Sequence, residues 1–196
     1  MSDSGEMTFW DHLDDLRASI FRIAVVLLAA AVGLFVFKDF LFDDLILAPS
    51  KADFFLYKWI GADFSLSLVN IEVTAQFMIH MKMALLCAVV LTFPYVIYQI
   101  WRFIAPALYE NEKRKVRNAF LFASVLFYIG VTVGYVLIFP LMLNFFADYQ
   151  VSSGVPNMFS LSSYISLLTS MVLTFGIVFE FPTVVALLSA DRKSVV

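Results

Sequence analysis

The sequence predicts an all-α polytopic membrane protein, and three observations carry that prediction. Of its 196 residues, 62% are hydrophobic and only 15% charged, whereas soluble domains carry about 25% charged residues. Four nearly uncharged runs, at roughly 18–37, 73–101, 118–140 and 162–190, each reach the ~20 apolar residues that a hydrocarbon core demands. None of them alternates apolar and polar residues as a barrel strand does, so their backbone groups must be satisfied within each segment, as helices.

The elements follow in order. In "TFWDHLDDLRASIF", Thr8 and Asp11 form a capping-box-like start, and Phe9, Leu13, Leu16 and Ile20 recur at helical spacing. This predicts a short amphipathic helix over 1–17 that leads into span 1 at 18–37. Acidic rather than basic residues precede the span and no small-residue cleavage site follows it, so it is read as a retained span and not a signal peptide. The segment 38–72 mixes apolar residues with Asp and Lys and is broken at Pro49 and Gly61, which predicts short interfacial helices and turns. Its Phe55, Tyr57 and Trp59 suit a headgroup-level aromatic belt. Span 2 occupies 73–101, a polar loop 102–117, and span 3 118–140. The connection 141–161 is polar, with Gly154 and Pro156 as turn residues. Span 4 fills 162–190, and 191–196 ends the chain. Pro94 and Pro140 each kink a span. The run from Ser163 to Ala190 would be about 42 Å long as a helix, more than a typical core of about 30 Å, so that helix is tilted or kinked near Pro182.

Orientation follows from the basic residues. Arg17, Arg22, Arg102, Lys113, Arg114, Lys115, Arg117, Arg192 and Lys193 flank one set of span ends; Lys38, Lys51 and Lys58 flank the other, and Lys82 lies inside a span. The positive-inside rule then puts the N-terminus, 102–117 and 191–196 in the cytoplasm, with 38–72 and 141–161 outside. The expected location is a cell inner (plasma) membrane, crossed several times.

A few polar residues inside the spans need partners. Glu72, Gln76 and His80 follow i, i+4, i+8 spacing and share one helix face, which lines protein or water. His80 is open to two readings, a hydrogen-bonded structural histidine or a proton relay. Lys82, off that face, either snorkels or pairs with an acid such as Glu180. Glu180 costs on the order of 3 kcal/mol at membrane depth, so it is protonated, paired or facing a wet cavity. An enzyme is not expected: no HExxH or GxSxG string and no glycine-rich phosphate loop occurs. Cys87, the single cysteine, excludes an internal disulfide and any multi-cysteine metal site. No cofactor, metal or nucleic-acid partner is expected.

Five strings, in order along nearly the whole chain, resemble one family closely: "HLDDLR" at 12–17, "LAPS" at 47–50, "FPYVIYQIWRFIAPALYENEKR" at 93–114, "FYIGVTVGYVLIFPL" at 127–141 and "FGIVFEFP" at 175–182. The family is TatC, the multispanning receptor of the twin-arginine protein translocase. The resemblance implies a bowl-shaped bundle of six spans with cytoplasmic termini. It would receive folded precursors bearing an Arg-Arg signal peptide, associate with itself, and recruit TatA- and TatB-type single-span subunits. Residue by residue it implies that Glu112 receives the arginine pair, with Phe103, Pro106 and Tyr109 as loop neighbours. Asp15 would be a second acid and Glu180 a polar residue on the concave face. The chemistry agrees, because guanidinium groups favour carboxylates in bidentate geometry. The basic cluster 113–117 would work against a cationic ligand on the same surface and is read instead as a topological anchor that also touches anionic lipid.

Two departures bear on these expectations. Asp15 stands where the family usually has Glu, which keeps the charge and shortens its reach. The chain also stops after four spans, so a fragment lacking spans 5 and 6 is expected, and family residues on those spans cannot be carried over. The competing reading, from another class, is a proton-coupled secondary transporter with Glu180, His80 and Lys82 as an ion path. The lack of a convincing internal repeat weighs against it.

Overall fold

The structure is a computed structural model, and it describes residues 9–60, 64–107, 110–152, 154–155 and 157–192. Helix α1 (Phe9–Val36) is followed by a π turn at Phe40–Ile46, a 3-10 turn at Ala48–Ser50 and the short helix α2 (Phe55–Ile60). Strand β1 (Leu68–Val69) leads into helix α3 (Ala75–Ile104), which ends in a 3-10 turn at Ala105–Ala107. Helix α4 (Glu110–Thr132) passes through a π turn at Val133–Ile138 into α5 (Phe139–Asp148); strand β2 (Phe159–Ser160) then leads into α6 (Leu161–Arg192). Four helical stretches are long and apolar enough to cross a membrane: His12–Val36, Ala75–Ile104, Val116–Asp148 and Leu161–Val185. The protein is thus a polytopic all-helical membrane protein.

Local chemistry explains the irregular points. Pro94 has no N–H for the carbonyl of Val90, one turn earlier, and the Tyr128 hydroxyl of α4 supplies the missing donor to Val90 O at 3.1 Å, with Leu91 O at 3.3 Å. Pro140 lies in the first turn of α5, just after a π turn whose wider spacing lets Phe139 N–H reach Gly134 O. The helix therefore continues to Asp148 instead of ending near residue 140, where the sequence alone places the end of span 3. From Phe9 on, the amphipathic segment and the first span form one unbroken helix, α1, of 28 residues, while the capping residue Thr8 lies outside the described residues.

The core lies where the strands sit. β1 and β2 pair in parallel, Leu68 with Phe159 and Val69 with Ser160, so α3 and α6 start at the same end of the bundle and run the same way. Leu41, Ile46, Tyr57, Phe139, Tyr164 and Ile165 are fully buried in this region. The short turns leave carbonyls without helical partners, and three tyrosine hydroxyls donate to them: Tyr57 to Pro49 O (2.8 Å), Tyr164 to Ile46 O (2.7 Å) and Tyr135 to Leu45 O. Such pairing is what burial of backbone oxygen requires. Away from this cap, α4 and α6 approach closely through glycine. A Cβ on Gly130 would lie 2.4 Å from Phe175 O, and one on Gly176 2.9 Å from Phe127 Cε2. Small residues at such crossings let dispersion forces hold helices in lipid, where the hydrophobic effect gives nothing.

Candidate functional site

Two groups of residues qualify as a site, both away from the strand end. The first lies along α3 and α6. Gln99 is 3% exposed; its amide nitrogen donates to the Tyr95 hydroxyl one turn earlier at 2.7 Å, while its Oε1 is buried with no partner. Glu180 Oε1 and Thr183 Oγ1, one turn apart on α6, are also buried, and the Glu180 carboxylate has the Thr183 hydroxyl and the Phe127 backbone of α4 as its polar neighbours. Unpaired buried polar atoms each cost about 1–3 kcal/mol. Gln99 Oε1 carries that cost outright, whereas Glu180 and Thr183 offset part of it by lying against each other. Phe181 and Pro182, next to them, are exposed.

The second group lies where α3 ends. His12 of α1 stacks on Phe103 of α3, with ring centroids 4.3 Å apart and planes 22° from parallel. This contact ties the "HLDDLR" string to the "WRFIAPALYE" string, which are distant in sequence. Asp15, one helical turn beyond His12, is exposed, as are Pro106 and Arg102. Trp101 packs against Phe120 at 6.1 Å and brings the start of α4 to the same end. Glu112 belongs to the first turn of α4, but its side chain lies outside the described residues, as does Tyr109 altogether.

The residues of the proposed ion path are not brought together. His80 sits near the start of α3, stacked on Phe35 at 4.0 Å and 7° and edge-on to Phe42 at 5.4 Å; its Nε2 is buried without a partner. Glu180 is much further along α6. Because α3 and α6 start together, the two residues are separated by about 20 Å along the bundle at about 1.5 Å per residue. Lys82 is exposed near His80, so among the described residues it makes no pair with Glu180. The His80 ring is held by stacking, and among the described residues no hydrogen bond engages its Nε2. Among the described residues, no group of three His, Cys, Asp or Glu side chains is placed to hold a metal ion.

Sequence reasoning gave no role to His12, Gln99, Thr183 or Tyr128. For Tyr128 no local signal existed, since its partner is 38 residues away. Gln99 carried a weak one, a polar residue in an apolar run one turn from a tyrosine. Thr183 lies one turn after Glu180, a spacing that puts both on one face.

Fold and site together define a multi-pass helical membrane protein with polar groups inside its spans and no catalytic constellation among the described residues. The family profile of the Sec-independent protein translocase protein TatC matches residues 11–191. The TatC protein of Blattabacterium sp. subsp. Periplaneta americana is 31% identical, over 92% of this chain and 74% of that protein. That of Listeria innocua is 32% identical, over 93% and 69%, and that of Haemophilus influenzae 32%, over 90% and 65%. Two crystal structures of the twin arginine translocase receptor TatC superpose with TM-scores of 0.69 and 0.72. They are 29% and 28% identical, covering 88% and 91% of this chain and 72% and 76% of those chains. The chain belongs to the TatC family and is a component of Sec-independent protein translocation.

Proposed function

We propose that this chain is the signal-receiving subunit of a twin-arginine translocase. The end of the bundle formed by α1, the close of α3 and the start of α4 binds the Arg-Arg pair, with Glu112 and Asp15 as its carboxylate partners. Phe103, Pro106 and Tyr109 shape the turn. The apolar part of the signal runs along α6 past Glu180, where exposed Phe181 and Pro182 flank the buried Glu180–Thr183 pair. The observation that supports this reading is the His12–Phe103 stack, which brings α1, one turn before Asp15, against the end of α3. A guanidinium pair then meets carboxylates from two elements, and the planar fork of Arg suits such a site better than Lys. TatA- and TatB-type subunits, and further copies of the chain, assemble around this receptor in the inner membrane. The N-terminus faces the cytoplasm, on the side where unexported precursors are found.

The test is site-specific crosslinking of an Arg-Arg signal peptide to the full chain in membranes. Glu112→Ala should abolish the crosslink, and a Lys-Lys peptide should lose it in the unaltered protein. Undiminished, Arg-dependent crosslinking to the Glu112→Ala protein would refute the role given to that residue.

A further inference from the structure

Beyond the receptor end, the opposite end of α1 forms a second polar site. Past Val36, where α1 closes, Lys38, Asp39 and Asp43 face Phe77 and His80 of α3 across an open cleft of about 520 Å³. All three charged side chains are exposed, and no ion pair among the described residues engages them. Lys51 reaches this region, but its ammonium donates to the backbone oxygen of Asp43 at 2.7 Å and not to the carboxylate. On the other wall, the His80 imidazole is clamped between Phe35 and Phe42 with its Nε2 buried and unpartnered.

Depth decides what kind of ligand fits. The apolar span ends at Val36, so Lys38 and Asp39 sit where hydrocarbon gives way to headgroups. Along the same two helices, further into the span, Val32 and Met81 are exposed at 63% and 49% and offer a surface for acyl chains. A fitting ligand therefore carries a cation for two carboxylates, an anion for one ammonium, and a hydrocarbon tail. The charge balance also excludes poorer fits. A headgroup that is anionic without a cation meets two acids against one base. A quaternary ammonium has no N–H to donate to carboxylates and gains only the faces of rings such as Phe42 and Phe77.

We propose that this cleft binds the headgroup of an aminophospholipid of the phosphatidylethanolamine class, its primary ammonium between Asp39 and Asp43 and its phosphate diester toward Lys38 and His80. The site depends on neither the direction of insertion nor the receptor reading, since it lies at the strand end and uses none of the residues given to the signal peptide.

Native mass spectrometry of the full chain in detergent micelles tests it, with phosphatidylethanolamine, phosphatidylcholine and phosphatidylglycerol of identical acyl chains added in turn. Phosphatidylethanolamine should be retained about fivefold more than the other two, the worth of roughly one net hydrogen bond. The double variant Asp39→Asn, Asp43→Asn should bring it down to the phosphatidylcholine level, while phosphatidylglycerol, no longer repelled by the two acids beside Lys38, should rise. His80→Phe keeps the ring stack, removes the nitrogen, and should weaken phosphatidylethanolamine about threefold. Equal retention of the three lipids, or an ethanolamine preference that survives the Asp39/Asp43 double variant, overturns the proposal. So does glycerophosphoethanolamine competing as well as the intact lipid, because that result assigns the cleft to a soluble phosphoamine.

Discussion

Helices α1 and α6 are both long and apolar enough to cross a membrane, and α1 is the more hydropathic, with a mean hydropathy of 2.5 against 1.7 for the span in α6. Yet only 6% of the α1 span is buried within the protein, against 28% for α6. Helix α6 is gripped along its length: Tyr164 closes on Ile46 O, and Gly130, Gly134 and Gly176 bring its backbone against α4. Helix α1 packs mainly on α3, through contacts such as Phe35 on His80 and His12 on Phe103, and shows Phe21, Leu28 and Val32 to the surroundings. Apolarity places a helix in the bilayer, but it is polar pairing and small residues that attach one span to another. The polar oxygens of Glu180 and Thr183 thus ride on a helix held from several sides, while Asp15 rides on one held mainly by α3. In the receptor reading this difference lets the carboxylate arm adjust to the arginine pair while the groove keeps its shape.

The contrast can be broken most sharply with alanine at two glycines. Gly130→Ala should destabilise the protein by about 3 kcal/mol, at the upper end of overpacking costs, because the new methyl would lie 2.4 Å from a backbone oxygen that cannot turn away. Gly33→Ala on α1, with nothing within 4 Å, should raise stability by up to about 1 kcal/mol through helix propensity. Thermal unfolding in detergent micelles reads both, and a Gly130→Ala protein that melts like the unaltered one would undo the account of the α4–α6 crossing.

Tyr164→Phe should cost about 2 kcal/mol, since it strands the buried Ile46 oxygen without a donor. The same melting assay measures it. Thr183→Val tests the other side of the argument. Its only polar neighbour among the described residues is the Glu180 carboxylate one turn away, so a near-isosteric apolar side chain should leave the melting temperature nearly unchanged, while crosslinking of the apolar part of a signal peptide to α6 falls. A protein that loses stability instead would mean that the hydroxyl serves the fold and not a ligand.

The smallest effect is with pH. Burial pushes the Tyr57 hydroxyl, outside the spans in α2, well above the ordinary tyrosine value near 10. Its folded form therefore holds the proton more tightly than its unfolded form. The resulting stability is fully present below pH about 10 and declines as pH rises above that value. Tyr57→Phe should flatten this alkaline loss of melting temperature, and a slope that persists in the variant would assign it to other groups.

Much of the protein was legible in its residues one at a time. Four long apolar runs sufficed for an all-helical polytopic fold, because lipid leaves the backbone no other means of satisfying its hydrogen bonds. The strings from "HLDDLR" to "FGIVFEFP" pointed to the TatC family, to which the chain belongs. The continuation of the third crossing through Pro140 to Asp148 was not legible, because a π turn that absorbs a proline has no signature in periodicity. Nor was the two-residue strand pair between segments 91 positions apart, Leu68 with Phe159. Such short strands exist only because their helices hold them together.

What the sequence by itself determined is therefore whatever depends on the solvent: which segments enter the membrane and which charges resist entry. Only the tertiary structure decided how those segments meet. It pairs Tyr128 with the carbonyl that Pro94 leaves free, brings His12 to Phe103, and keeps His80 and Lys82 far from Glu180. The physical reason is that water and lipid select residues by polarity, one at a time. Hydrogen bonds, ring stacks and glycine contacts select by geometry, and their partners lie on different helices.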